Sequence, residues 1–323
     1  MMNGATENGT LFFVHRGHLQ PYLIASILQA RSSNPRTPVV LLSDQPLESI
    51  PSEIVTVITL ATLSEFSAKA QNFEKVFRFE GTNSFEYELM NFQRWFYVQE
   101  FCDVHSISVP LMVLDSDAYL YLSLDTVTET VQTDMTVVDK VGPQFTYFRS
   151  PEALTRFTGF LLESFLNPEG YELLRGFVRE SGDTGVPHVS DMAAFGAYAQ
   201  LNKLEDLGNP NRRDFVFCEN IGSPQGLATN FLGKKIISRR GSRHFTTREG
   251  RAIVAGGVHL QGGNKDLWPY FVDSSVKHSL QKHSPRDYAK ALRVARQKAF
   301  RIGLLKIAAR SRKLFTREWA TSA

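Results

Sequence analysis

The sequence predicts an α/β fold, a single mixed sheet flanked by helices and followed by a basic helical C-terminal tail. Three observations carry that prediction. The chain opens on a strand–helix–strand pattern, a later apolar run ends abruptly at two carboxylates, and the charge changes sign near residue 277. With 323 residues, 42% of them hydrophobic and 21% charged, the chain can fill the core of one large domain.

Leu11–His15 reads as a short buried strand. Leu19–Ser33 reads as a helix, closed by Asn34-Pro35 because a residue before proline avoids the helical region. Pro38–Ser43 is a second apolar run, ending at Asp44. Two strands joined by a helix of this length pair in parallel through a right-handed crossover. Ile54–Leu60 predicts a third strand. Phe85–Phe101 predicts a helix, since Phe85, Leu89, Phe92 and Phe96 recur near a 3.6-residue period. It feeds Val109–Leu114, the apolar strand that delivers Asp115. Beyond Tyr121, Met135–Val141 reads as a strand. Pro151 to about Phe165, Glu169–Ser181 and Ser190–Leu201 read as helices, with Pro151 suited to a first helical position and Ser190 to an N-cap. From Phe215 to Leu260 short strands alternate with glycine-containing turns, a small mixed or antiparallel extension of the sheet. Pro285–Leu314 reads as a long basic helix. The expected organisation is a body over residues 1–276 and a tail over 277–323.

The formal net charge of +3 hides an asymmetry: Lys277 to Ala323 carries +11 and the remainder −8. That split is a statement about partners. Apolar positions Leu292, Ala295, Ala299, Ile302, Leu305 and Ile307 give the tail a partly one-sided helix flanked by Arg and Lys, which suits an anionic membrane surface or a protein contact. Sparse aromatics and the lack of a zinc-finger or RNA-recognition motif argue against nucleic acid. Cys102 and Cys218 cannot make a disulfide framework, so a reducing, cytoplasmic compartment is expected. Met1–Gly9 lacks a signal-peptide layout, and no apolar run reaches about 18 residues. The expected location is cytoplasmic, peripheral to the inner face of a membrane if the tail binds lipid.

The chemistry concentrates at two places. Asp115-Ser116-Asp117 sets hard oxygen ligands where an apolar strand ends, at the ligand edge of an open sheet, and this suits Mg²⁺ or Mn²⁺. The plain alternative is a solvated turn whose Asp side chains cap backbone N–H groups. An aspartyl phosphatase also carries Asp-x-Asp, but near its N-terminus and with Thr or Val two residues beyond the second Asp, where this chain has Tyr119. Much later, His259 adds a borderline ligand. Gly262 and Gly263 let backbone approach phosphate oxygens, and Lys265 adds a positive charge. Arg94 lies on the helix before the metal strand, where its plain reading is a surface pairing to Glu86 or Glu100. Asp191 lies just after Ser190, where its plain reading is helix capping. His15 and Asp44 follow the first two strands, where loops line a nucleotide crevice.

Val113-Leu114-Asp115-Ser116-Asp117-Ala118-Tyr119-Leu120 resembles the metal-binding motif of GT-A glycosyltransferases. His259-x-x-Gly262-x-x-Lys265, with Trp268 just beyond, is similar to the His-x-x-Gly-x-x-Lys-Pro-Trp signature of glycosyltransferase family 8, the glycogenin and lipopolysaccharide galactosyltransferase type. The resemblance runs from about Leu11 to Trp268, with specific identity confined to the motifs. It implies a GT-A-like fold and a nucleotide-sugar donor, usually UDP-linked. It also implies Mn²⁺ (or Mg²⁺) held by Asp115, Asp117 and His259, and Lys265 on the diphosphate. Asp115, Ser116 and Gly262 would join the nucleotide-sugar site, the resemblance makes Arg94 the basic residue that reaches the nucleotide sugar, and it makes Asp191 a candidate sugar-binding or catalytic acid. The family's Asp-Gln-Asp pattern is absent, as is its Asn-x-Gly element after the metal strand, where Gly142-Pro143-Gln144 stands in that space. The function expected is sugar transfer from a nucleotide-diphosphate donor to a carbohydrate or lipid-linked acceptor. The alternatives are a nucleotide-sugar hydrolase or pyrophosphorylase, and a non-catalytic carbohydrate-binding protein of the same fold.

Overall fold

The computed structural model describes residues 9–47, 50–60, 68–81, 83–180, 189–222, 225–229, 235, 237–238 and 243–301. The strands are β1 (Thr10–His15), β2 (Val39–Ser43), β3 (Thr56–Thr59), β4 (Leu111–Leu114), β5 (Ala118–Leu120) and β6 (Thr136–Val137). They continue as β7 (Phe145–Phe148), β8 (Glu205–Asp206), β9 (Phe215–Cys218), β10 (Ile237–Ser238), β11 (His244–Thr246) and β12 (Ala252–His259).

The strand–helix–strand opening forms as expected. The helix Pro21–Ser33 starts two residues later than the periodicity suggests, because proline takes the first helical position, where its missing N–H costs nothing. It returns the chain to pair β2 in parallel with β1, Leu11 opposite Val39. The central sheet runs β3-β2-β1-β4-β7, all parallel except β7, which is antiparallel to β4. Its inner strands are buried on both faces, while the edge strand β3 is half-buried to exposed. Leu11, Phe13, Leu41 and Leu114 face the helix Pro21–Ser33. Phe12, Val40, Leu42 and Val113 face the helices Phe85–Val104 and Pro151–Leu166 through Phe92, Trp95, Phe96 and Phe157. Continuous apolar runs therefore replace alternation in β1, β2 and β4.

Among the described residues the remaining strands lie outside that sheet. β12 pairs with β5 and β11 antiparallel and with β9 in parallel, while β6 and β8 make a separate two-stranded ribbon. The predicted strand Met135–Val141 shrinks to β6. Asp139 and Lys140 adopt positive φ of 51° and 72°, so the chain turns back there and Val138 bridges Gly142. Glycines admit β12 against the core: a Cβ on Gly257 would come within 2.6 Å of the Phe145 ring.

The helix Ser274–His283 spans the boundary expected between residues 276 and 277, and its Val276 and Leu280 are buried. Asp273 ties its start to the first helix, accepting from Gln29 Nε2 at 2.6 Å. A further helix covers 285–301, with Tyr288 and Ala295 buried. The rest of the predicted tail helix, including Ile302, Leu305 and Ile307, lies outside the described residues. Among the described residues no helix is long and apolar enough to cross a membrane.

Candidate active site

Asp115, Ser116 and Asp117 form the link between β4 of the central sheet and β5 of the second. The Ala118 N–H donates to the Asp115 carbonyl at 3.0 Å and closes the link into a turn, which sets both carboxylates at the sheet edge. β12 lies against β5 with His259 opposite Ala118, and the Leu260 N–H donates to the Asp117 carbonyl at 3.1 Å. Strand pairing thus seats His259 beside an aspartate 142 residues away.

One ligand atom each from Asp115, Asp117 and His259 lie within 4.8 Å of one another. His259 Nδ1 donates to the Glu219 carbonyl at 2.7 Å, since a carbonyl can only accept. That contact fixes the ring and aims Nε2 at Asp117 Oδ1, 3.1 Å away, and at Asp115 Oδ2, 3.8 Å away. Two carboxylates and an imidazole oriented by a backbone carbonyl are a donor set suited to a divalent first-row cation. Lys265 closes the group, its Nζ 3.2 Å from Asp117 Oδ2 and 5.1 Å from the centre of the Tyr22 ring. Burial alone would raise the Asp117 carboxyl, but His259 and Lys265 outweigh it and hold the group below the usual carboxylate range. Burial likewise opposes a charge on His259, and the two aspartates outweigh it and raise the imidazole.

A second charged chain meets the first at Asp115. Arg94 pairs with Asp115 through Nη1 and with Asp191 Oδ2 through Nη2, the latter at 2.6 Å. The surface partners Glu86 and Glu100 are not its contacts. Asp191 is the first residue of the helix Asp191–Asn202, and capping falls to Ser190, whose hydroxyl accepts from the Ala193 N–H. Burial pushes the Asp191 carboxyl up to about 6, against the pull of Arg94 and with Asp115 adding repulsion.

These groups share one cleft of about 710 Å³, lined also by His15, Ser116, Tyr22, Tyr87, Asn91, Gln144 and Gly262. His15 Nε2 donates to the His18 carbonyl at 3.0 Å, which leaves Nδ1 to accept from the Ser116 hydroxyl at 3.3 Å. Burial lowers the His15 pKa, consistent with that neutral tautomer. Gly262 turns the chain after β12 with a φ of +57°. Asp44 is the outlier among the predicted residues: it is exposed, does not line the cleft, and accepts from the Gly17 N–H at 2.8 Å, bracing the loop that follows His15. Tyr22, Tyr87 and Asn91 were missed by the sequence reading. Tyr87, Asn91 and Arg94 recur at i, i+4 and i+7, so the helix face that carries Arg94 already pointed to the other two.

No protein-family model matches the chain, and no curated protein matches it in sequence. Solved structures it resembles are glycosyltransferases. Mouse xyloside xylosyltransferase 1, in its apo form, is 11% identical over 62% of this chain and 86% of that one, with a TM-score of 0.41. The galactosyltransferase LgtC, in complex with donor and acceptor sugar analogues, is 13% identical over 58% of this chain and 70% of its own, with a TM-score of 0.34. The apo bifunctional glycosyltransferase WbbM is 9% identical over 90% of this chain and 53% of its own, with a TM-score of 0.49.

Proposed function

We propose that the protein is a metal-dependent glycosyltransferase that moves a sugar from a nucleotide-diphosphate donor, a UDP-sugar by preference, to a carbohydrate or lipid-linked acceptor. The observation that carries this reading is the convergence of Asp115, Asp117 and His259 with Lys265 and the Arg94–Asp191 pair on one cleft. Asp115, Asp117 and His259 would hold the cation. When bound, it neutralises the negative charge that builds on the diphosphate as the glycosidic bond breaks. An imidazole in the set favours Mn²⁺ over Mg²⁺.

The chain's own groups divide the remaining work. Lys265 adds a second positive charge for the leaving diphosphate. The turn at Gly262 lets backbone amides approach its oxygens. Arg94 is held rigid between two carboxylates and orients the donor, while Asp191 contacts the donor sugar. His15 and Ser116 bind the nucleoside end, with Asp44 bracing their loop. The basic helix 285–301 supports a peripheral role at an anionic membrane, since Arg286, Lys290, Arg293 and Arg296 are exposed along it together with Phe300.

The test is release of nucleoside diphosphate from a panel of UDP- and GDP-sugars with Mn²⁺, with Mg²⁺ and with chelator, in the presence and absence of oligosaccharide acceptors. Turnover of one UDP-sugar that needs metal and rises with an acceptor is the expected result. Metal-dependent turnover that no acceptor stimulates favours a hydrolase. Binding of sugar with no turnover of any donor sinks the enzyme reading.

A further inference from the structure

The segment that carries Lys265 is weakly held by its own sequence. It is a 3₁₀ helix, Gly262–Tyr270, entered through two consecutive glycines, and its N-cap Gln261 makes no side-chain capping bond. Geometry of that kind is poor at fixing a side chain by itself. The body holds its two ends, through Asn220 Nδ2 donating to Gln261 Oε1 at 2.8 Å and through the buried Leu267 and Trp268, and the stretch around Lys265 gains further support from the helix 285–301. Tyr288, buried on that helix, lies with its ring 5.8 Å from Trp268 at the far end of the segment. Nearly three turns further on, Lys298 donates from Nζ to the Gly263 carbonyl and pairs with Asp266 Oδ2 at 2.6 Å. Gly263 and Asp266 stand on either side of Lys265. One ammonium thus grips the backbone before the phosphate lysine and the side chain after it, while Lys265 Nζ reaches Asp117 at 3.2 Å. Asp266 is half exposed, so the ion pair alone is a weak bond. The two-point grip flanking Lys265 is what gives it consequence.

We propose that Lys298 is a positioning residue for diphosphate binding: from the C-terminal helix it holds the Gly262–Asp266 turn so that Lys265 faces the Asp115–Asp117–His259 cluster. This rests on the functional reading above for its ligand, and on geometry alone for the turn. It makes the basic helix part of the donor site's support.

The experiment uses the full chain, as wild type and as Lys298→Met, Lys298→Arg and Arg301→Met. Arg301 is exposed on the same helix, and its substitution removes the same single positive charge. Titration calorimetry measures UDP affinity with Mn²⁺, steady-state kinetics give kcat and KM for the UDP-sugar, and hydrogen exchange follows residues 262–270. Lys298→Met should weaken UDP binding about fivefold, raise KM with a smaller change in kcat, and speed exchange across 262–270. Lys298→Arg should restore all three, and Arg301→Met should change none. A Lys298→Met protein that merely melts earlier, with UDP affinity and exchange unchanged, overturns the proposal. So does an Arg301→Met protein that copies it, since bulk charge would then be the cause. If the wild type binds no UDP with Mn²⁺, the functional reading fails, and exchange across 262–270 alone decides whether Lys298 holds the turn.

Discussion

Asp117 and Asp191 are both buried acids in one cleft, yet their titration runs in opposite directions. Asp117 has two cationic neighbours and stays ionised. Asp191 has one, shared with Asp115, and burial wins. Asp117→Ala and His259→Ala should each cut metal-dependent donor turnover by about 10²-fold or more while keeping a cooperative melt. Near-normal turnover at limiting Mn²⁺ would remove that residue from the ligand set. Lys265→Ala should weaken UDP binding and slow transfer, at a cost on the order of 2–4 kcal/mol. Unchanged kinetics would leave Lys265 as a partner of Asp117 only. For Asp191 the sign follows from its raised pKa. The folded protein binds this proton more tightly than the unfolded chain, so the contribution to stability is complete below about pH 3.8 and is lost as pH rises through about 6. Asp191→Asn cannot ionise. The melting temperature of the metal-free variant, relative to wild type, should therefore climb between pH 4 and pH 7, and a constant difference across that range would contradict the assignment.

β12 shows how tightly the second sheet constrains the site. Gly257 pairs with Leu120 on β5 while the Phe145 ring fills the space a side chain would need. Gly257→Ala should cost about 1–3 kcal/mol, read as a lower denaturation midpoint, with the larger functional loss in metal affinity because His259 lies two residues on. A midpoint equal to wild type would mean the ring yields freely. The elements that sequence made legible are those with local signals. Pro21 opens the first helix, Ser190 caps the helix that begins at Asp191, and β1, β2 and β4 are unbroken apolar runs. Asp115, Asp117 and His259 could be named because they sit where apolar runs stop, and Lys265 because it follows His259 at the spacing of His-x-x-Gly-x-x-Lys. The two-residue strands and the helix Ala68–Val76 have no comparable local signature, and β7 and the helix Leu124–Thr130, although Ser123 caps the latter, are too short for a period to show. The pairing of β5 with β12 was illegible for a stronger reason, since it depends on contacts across more than a hundred residues. The tyrosines were hidden differently: Tyr22 and Tyr87 read as ordinary helix residues until the cleft beside them is known.

Charge separates the molecule into a body of −8 and a C-terminal stretch of +11 from Lys277 onward, yet Leu280 and Tyr288 bury part of that stretch against the body. The exposed positive face remains available to lipid. Full-length protein should sediment with anionic liposomes and release as salt rises, because the attraction is screened over about 8 Å at physiological ionic strength. Changing Arg286, Lys290 and Arg293 together to Gln should weaken that binding by about 1 kcal/mol per residue without altering donor turnover in solution. Equal sedimentation of the variant, or of wild type with neutral vesicles, would remove the membrane role. The seating of His259 opposite Ala118 also has a consequence in time. A ribosome adding about 5–20 residues per second completes Asp117 roughly 7–28 s before His259, given 142 residues between them. Through that interval β5 has an open edge and the carboxylates wait without their imidazole, the condition in which nascent strands pair with the wrong neighbour. The cluster of Asp115, Asp117 and His259 therefore cannot assemble until β12 has been made, and chains halted before β12 should be the ones that chaperones and proteases claim.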